Sequence, residues 1–130
     1  MVVGNQDKQA FCAGANLLMV LMAAMQQQWD SLEGEISALQ TLLQRFKYSD
    51  KPVVTAPHGL ALGGGAEVAM QSAATVASGE LYMGLVEVGV GVIPAGGGCK
   101  ELLSRYLGDI PAGVDYDPIC LLYTSDAADE

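Results

Sequence analysis

Two glutamates in apolar, glycine-rich surroundings are the residues of this sequence best suited to chemistry. Glu67 follows three consecutive glycines in LALGGGAEVAM, residues 60–70, and Glu87 lies 20 residues later in GLVEVG. Carboxylates seldom occupy apolar surroundings, and desolvation and close approach raise the pKa of at least one member of such a pair. One acid can then hold a proton while the other accepts one, as acid–base chemistry on a water molecule requires.

The glycines before Glu67 do not match a nucleotide loop. A phosphate loop needs lysine and a hydroxyl residue after its last glycines, whereas Gly65 and Ala66 stand there. GVGVIP, from Gly89, has proline where a dinucleotide fingerprint requires glycine, and the hydrolase motif GxSxG is absent. A glycine triplet alone more often serves only a tight turn. Here the unbonded N–H groups of a helix start and two nearby acids favour a site.

Histidine and cysteine are interpreted as structural residues. His58 is the only histidine, and no serine or cysteine nucleophile is placed for it, so we interpret it as a turn residue. Cys12, Cys99 and Cys120 form no CxxC pair, so neither a zinc site nor a disulfide framework is indicated. We predict no metal site and a reducing, cytoplasmic setting.

Composition restricts the partners. The 130 residues suit one domain, and a hydrophobic content of 51% allows a large core. A net charge of −9 with only six Lys and Arg disfavours nucleic acid and anionic membrane surfaces as partners. The longest apolar run, residues 17–25, is too short to cross a bilayer, and its methionines indicate packing rather than a metal site.

Short strands and helices are predicted to position the glutamates. MVVG has strand character, FCAGAN reads as a glycine-containing turn, and residues 17–28 are rich in helix formers. Asp30 or Ser31 is predicted to cap a second helix in a capping box with Glu33. This helix should end near KYSDKP, since Pro52 disfavours helix before it. Apolar positions three and four apart predict one buried stripe on it: Leu32, Ile36, Leu39, Leu42, Leu43 and Phe46.

The second half of the chain repeats this alternation. Pro52 to about Ala56 reads as a strand followed by a turn into the glycines; helical periodicity then begins, and residues 74–77 become β-like. A last helix is predicted from Gly98 to about Leu107, with these residues on its exposed side: Lys100, Glu101 and Arg105. Alternation at short spacing predicts an α/β fold with parallel pairing.

Three blocks in this order, FCAGAN, KPVVTAPHGLALGGGAEVAM and YMGLVEVGVGVIPAGGG, resemble the crotonase superfamily, specifically enoyl-CoA hydratases. The resemblance runs from about Val2 to Leu107. The last block is most similar to hydratase modules fused to a 3-hydroxyacyl-CoA dehydrogenase. The resemblance implies a spiral of ββα units that ends in helices building a trimer.

The resemblance also implies residue roles. The backbone N–H groups of Ala15 and Gly64 would form an oxyanion hole, with Glu67 and Glu87 as the acid–base pair. Asn16 departs from the family, where aspartate is frequent. The remaining implied substrate-binding residues lie along the CoA and pantetheine arm or beside the glycine turn: Ala13, Gly14, Asn16, Leu17 and Gly63.

The implied activity is reversible hydration of a 2-enoyl-CoA thioester in fatty-acid β-oxidation. Hydration needs no cofactor because coenzyme A belongs to the substrate, and NAD would be used only by a fused dehydrogenase module. A homotrimer-type assembly is implied for the intact parent, and residues 17–25 would be core or acyl-pocket wall. The alternatives are an enoyl-CoA isomerase of the same fold, a non-catalytic acyl-CoA-binding subunit, and a generic α/β protein with a glycine turn.

Residues 1–118 are expected to be a partial hydratase domain, truncated at both ends. Residues 119–130, with Cys120, resemble an adapter-derived read-through and are expected to be non-native. Missing strands and helices would expose unpaired edges and apolar surface, so the isolated fragment is expected to aggregate and to be inactive.

Overall fold

The computed structural model describes residues 1–109; the predicted domain end at residue 118, the predicted tail 119–130 and Cys120 lie outside them. Residues 1–98 form one compact unit, and the rest of α4 belongs to a separate one. No helix in the described range is long and apolar enough to span a bilayer. The elements in chain order are β1 Val2–Val3, β2 Ala10–Cys12, α1 Leu17–Met25, α2 Trp29–Lys47, β3 Val54–Thr55, β4 Leu60–Leu62, α3 Gly64–Met70, β5 Ala74–Thr75, β6 Tyr82–Gly84, a 3-10 helix Glu87–Val90, and α4 Gly98–Asp109.

Successive strands alternate between two parallel sheets, whose orders are β1-β3-β5 and β2-β4-β6. Val54 pairs with Val2 and Ala74, and Leu60 pairs with Ala10 and Tyr82. Helical segments follow every second strand, so the described chain contains three ββα units in succession. The prediction of an α/β fold with parallel pairing and a ββα spiral is therefore confirmed.

Helix α3 packs directly on the sheet because one of its residues has no side chain. A Cβ on Gly65 would lie 2.8 Å from Cys12 Cβ and would overlap the Cys12 carbonyl oxygen. Ala61 on β4, and Ala66 and Ala69 on α3, are no more than 1% exposed. Small residues therefore let helix and strands approach closely, which fixes the position of Glu67 in α3.

The predicted capping box on α2 is wrong. The helix begins at Trp29, after Gln28, and has no side-chain cap. The chain leaves α1 through a tight turn in which Gln27 has a φ of 55° and Gln28 N–H donates to the Ala23 carbonyl at 2.9 Å. This turn starts the helix before Asp30, so Asp30 falls within its first turn.

The predicted buried stripe on α2 is largely wrong. Leu43 is its only buried member, whereas Ile36 and Leu42 are 40% and 46% exposed. Helix α1, which ends at Met25 rather than at residue 28, has no buried residue, so its methionines are not core. Apolar periodicity identifies a face of a helix but not what covers it. Within the described residues these two faces are uncovered.

Two further expectations are corrected. Residues 60–62 form β4, between β2 and β6, where only a turn into the glycines was expected. Glu101 is 3% exposed rather than on the exposed side of α4. Its Oε1 is 3.1 Å from the Nζ of Lys100, which is exposed as predicted.

The close packing of α3 on β2 can be tested by substituting a glycine of α3 and, as a control, a glycine of α2. We expect Gly65→Ala to lower the free energy of unfolding by about 1–3 kcal/mol, because its Cβ has no room against Cys12. Gly34→Ala is the matched control. It lies in α2 with no atom within 4 Å of the added Cβ, so it should stabilise by about 0.5–1 kcal/mol. Urea unfolding of both variants in the full-length gene product measures this, and equal effects would contradict the packing described.

Candidate active site

Glu67 is buried in the described fold without a cationic partner. Its side chain is 1% exposed, and its Oε1 accepts a hydrogen bond from Gly98 N–H at 2.9 Å. A Cβ on Gly98 would lie 3.1 Å from Glu67 Cγ, and one on Gly96 would overlap Oε2. The carboxylate therefore lies directly against the glycine backbone of residues 96–98, which no larger residue would allow.

Burial raises the pKa of the Glu67 carboxyl above its ordinary value of 4.5. Loss of hydration is the main cause, and the negative charge of Glu87 acts in the same direction. The amides of Gly98, Gly96 and Gly97 oppose this by stabilising the ionised form. Glu67 can therefore hold a proton at a pH at which an exposed glutamate has lost it.

Glu87 presents an oxygen with no protein donor. It begins the 3-10 helix and is half-buried. Its Oε2 is buried and has no hydrogen-bond partner within residues 1–109. A Cβ on Gly63 would lie 3.1 Å from Glu87 Oε1, so this carboxylate lies against the glycine turn. An unpaired buried carboxylate oxygen is costly, and it can accept a hydrogen bond from a reacting molecule.

The loop after β2 meets the glycine turn before α3. A Cβ on Gly14 would lie 3.4 Å from the nitrogen of Gly64, and one on Gly64 would lie 3.8 Å from Gly14 Cα. Gly14 and Gly63 have φ values of 88° and 55°, which glycine adopts readily. The N–H groups of Ala15 and Gly64 have no acceptor in the described part of the chain. Both N–H groups are therefore available to an oxygen atom, and the loops that carry them are in contact.

The loop of residues 13–17 is open to solvent. Ala13, Ala15, Asn16 and Leu17 are exposed, and Gly14 is half-buried. Asn16 caps α1, since its Oδ1 accepts from Met19 N–H at 3.3 Å. The residue that departs from the family pattern thus makes a local bond that holds the loop at the start of the helix.

The structure brings together five residues of the predicted site, through the contacts of the two loops and the electrostatic effect of Glu87 on Glu67: Gly14, Gly63, Gly64, Glu67 and Glu87. Ala13, Ala15, Asn16 and Leu17 lie on the same loop as Gly14. His58 lies outside this group: its Nε2 is 2.6 Å from the backbone oxygen of Asp7, which agrees with a structural role.

Sequence reasoning missed the donors to Glu67. Gly96, Gly97 and Gly98 form a second glycine triplet that begins 29 residues after Glu67, and the sequence analysis gives it no role. The signal was present, because a second uninterrupted glycine run indicates another close approach of backbone.

The sequence is similar to that of a known protein family and of individual proteins. Residues 1–112 match the family described as enoyl-CoA hydratase/isomerase. A probable 3-hydroxyacyl-CoA dehydrogenase of Bacillus subtilis is 49% identical over 107 residues, which cover 82% of this chain and 13% of that protein. The crotonyl-CoA hydratase of Syntrophomonas wolfei is 36% identical, over 100% of this chain and 46% of that protein.

A solved structure is also similar. The enoyl-CoA hydratase of Bacillus anthracis aligns with a TM-score of 0.69 and 28% identity, over 79% of this chain and 38% of that one. The chain thus spans less than half the length of each of these three proteins.

The raised pKa of Glu67 predicts a pH-dependent stability. Between 4.5 and its folded-state pKa, the folded protein binds more protons than the unfolded chain, so the free energy of unfolding falls as the pH rises through this window. Glu67→Gln keeps an oxygen for Gly98 N–H but does not titrate. We expect the stability of this variant relative to wild type to increase across the window, as measured by urea unfolding at a series of pH values. Parallel pH curves would contradict the raised pKa.

Proposed function

Because the chain belongs to the enoyl-CoA hydratase/isomerase family, we propose that it carries the active site of an enoyl-CoA hydratase. The reaction is the reversible syn addition of water across the 2,3-double bond of a 2-enoyl-CoA thioester. One observation carries the proposal: the buried Glu67 and the unpaired Glu87 oxygen flank the Gly63–Gly64 turn. The similarity to a crotonyl-CoA hydratase supports it.

The thioester carbonyl is proposed to accept hydrogen bonds from the N–H groups of Ala15 and Gly64. Negative charge develops on this oxygen as water adds to the β-carbon, and fixed donors stabilise that charge without reorganising. The contact between the two loops, and the lack of other acceptors for both N–H groups within residues 1–109, support this role. Because the donors are backbone groups, the side chain of Ala15 acts only through its shape.

The two carboxylates are proposed to handle the proton of the attacking water. One carboxylate takes this proton as the water oxygen bonds to the β-carbon, and a proton is delivered to the α-carbon, so the product gains one water. Unequal environments favour such sharing: Glu67 is desolvated but bonded to Gly98, while Glu87 keeps an oxygen without a partner among the described residues.

Substrate binding is proposed to use the exposed loop after β2. The CoA and pantetheine arm would lie along Ala13, Gly14, Asn16 and Leu17, beside Gly63, and the exposure of this loop supports such access. Hydration would require no cofactor, since coenzyme A arrives with the substrate. NAD would serve only a fused dehydrogenase module, a context that the similarity to a probable 3-hydroxyacyl-CoA dehydrogenase supports.

The biological setting is proposed from the resemblance to the crotonase superfamily and from the cysteine usage of the sequence. We propose fatty-acid β-oxidation in the cytoplasm as the setting, and a homotrimer-type assembly for the full-length protein. The end of the hydratase domain at residue 118 and the non-native character of residues 119–130 remain predictions.

Removing either carboxylate should slow hydration strongly without unfolding the protein. We expect Glu67→Gln and Glu87→Gln each to lower kcat for crotonyl-CoA by about 10²–10⁴-fold, the usual contribution of a positioned acid or base. Glu80→Gln, on an exposed turn, is the matched control and should keep the wild-type rate. The assay follows loss of absorbance of the conjugated thioester in the full-length gene product, with circular dichroism as the check of folding.

The same samples distinguish the alternatives. Near-normal hydration in both variants would overturn the assignment. Migration of the double bond of a 3-enoyl-CoA, without hydration, would identify an isomerase. Tight acyl-CoA binding without turnover would identify a binding subunit, and no CoA binding would leave only an α/β protein with a glycine turn.

The contact of Gly14 with Gly64 should be needed for the oxyanion donors. A methyl group on Gly14 would press on Gly64 N and on the Leu62 carbonyl, at 3.4 and 3.1 Å, and its φ of 88° is strained for alanine. We expect Gly14→Ala to lower kcat by about 10²–10³-fold, as when one oxyanion donor is lost. Gly79→Ala, with no atom within 4 Å of its Cβ, should retain activity. Equal rates in the two variants would contradict the proposed donors.

A further inference from the structure

Two glutamine side chains bind adjacent carbonyls of the turn that contacts Glu67. Gln71 Nε2 donates to the Gly96 carbonyl at 2.9 Å, and Gln40 Nε2 donates to the Ala95 carbonyl at 2.7 Å. Gln71 follows the end of α3 and is 2% exposed, whereas Gln40 lies on α2 and is exposed. One buried and one solvent-exposed amide thus hold the same turn.

The Gln71 bond and the Glu67 bond share this short turn. Gly96 offers its carbonyl to Gln71, and two residues later Gly98 offers its N–H to Glu67 Oε1. Gly97, with a φ of 106°, lets the backbone present a carbonyl and then an N–H to the same helix. Glu67 and Gln71 are four residues apart, and Gln71 N–H bonds the Glu67 carbonyl at 3.1 Å.

We propose that Gln71 is a positioning residue for Glu67: its side chain holds the Gly96 carbonyl, so that Gly98 N–H stays on the Glu67 carboxylate. Its catalytic consequence rests on the proposed hydratase function, in which Glu67 moves the proton of the substrate water. Gln71 itself is buried behind Glu67 and acts through it.

A positioning role explains why a polar residue, Gln71, occupies a buried site. Its Oε1 is buried and has no hydrogen-bond partner within the described residues. An unpaired buried amide oxygen destabilises the fold, and an apolar side chain of similar length would fill this space without that cost. The Nε2 bond to Gly96 is what a methionine or leucine could not make.

Few other groups act on Glu67 electrostatically. Glu87 is the charged side chain that raises its pKa. From α2, Leu43 lies near the Gly96 position, and Cys12 lies under α3 at Gly65. Glu67 is the only titratable residue of α3 itself. The amides of residues 96–98 are therefore the main groups that stabilise its ionised form.

Gln71→Met removes the donor and keeps the side-chain length. The turn is then released, the Gly98 bond weakens, and the pKa of Glu67 rises further, since that bond lowers it. In the pH profile of kcat, we expect the apparent pKa that reflects Glu67 to rise by about one unit. The free energy of a hydrogen bond to a charged group corresponds to a pKa change of about this size. KM for crotonyl-CoA should stay unchanged, since Gln71 is 2% exposed.

Gln40→Met is the matched control. Its bond to Ala95 is exposed, so water replaces it, and the pH profile should move much less. A carboxyl ¹³C NMR titration of Glu67, assigned with Glu67→Gln, gives the pKa in the full-length gene product without relying on turnover. An upward shift in Gln71→Met alone supports the proposal. No shift in folded Gln71→Met, or equal shifts in both variants, overturns it.

Two results separate this proposal from the proposed function. If the wild-type protein hydrates no 2-enoyl-CoA, the proposed hydratase function is wrong. The NMR titration of Glu67 still tests whether Gln71 positions it. If Gln71→Met does not fold, hydrogen exchange of the Gln71 side-chain amide and the Gly98 amide in the wild type decides it. Protection of both the Gln71 side-chain amide and the Gly98 amide supports the role of Gln71, and fast exchange of the Gln71 side-chain amide overturns it.

Discussion

A carboxylate on a short helix is buried here with no cationic partner among the described residues, and the packing around it follows from that constraint. A buried charge must be stabilised by dipoles when no opposite charge is present, and backbone N–H groups are the available donors. They reach Glu67 only because residues 96–98 have no side chains: a methyl group on Gly96 would overlap the carboxylate itself. The second glycine triplet is therefore a consequence of Glu67.

Each glycine of the first triplet meets a different physical requirement. Gly63 adopts a positive φ and leaves room for the Glu87 carboxylate. Gly64 begins α3 next to Gly14, and its N–H has no acceptor among the described residues. Gly65 lets α3 lie against Cys12 on β2. The run that first suggests a phosphate loop thus serves one carboxylate, one amide donor and one helix–sheet contact.

The sequence contained enough information to predict the alternation of strands and helices, the parallel pairing and both glutamates. Glycine-containing turns and apolar runs depend on local sequence, so they can be recognised in a single chain. The errors concern features that depend on tertiary contacts. The apolar stripe of α2 is one case, because only Leu43 on it is buried. The start of α2 is a local exception, since the turn through Gln27 begins this helix before Asp30. Strand β4 has only three residues and is defined by its neighbours β2 and β6.

Parallel pairing of β2, β4 and β6 has a consequence for how the site can fail. Parallel strands end at the same edge of a sheet, so the 13–16 loop, the Gly63–Gly64 turn and Glu87 follow three adjacent strand ends. The Gly63 N–H bonds the Gly84 carbonyl at 2.9 Å and ties the second strand end to the third. A slip of β6 by one residue would turn its side chains to the other face and carry Glu87 about 3.3 Å along the strand. Every proposed catalytic residue would then be present in the protein, yet they would no longer surround one point.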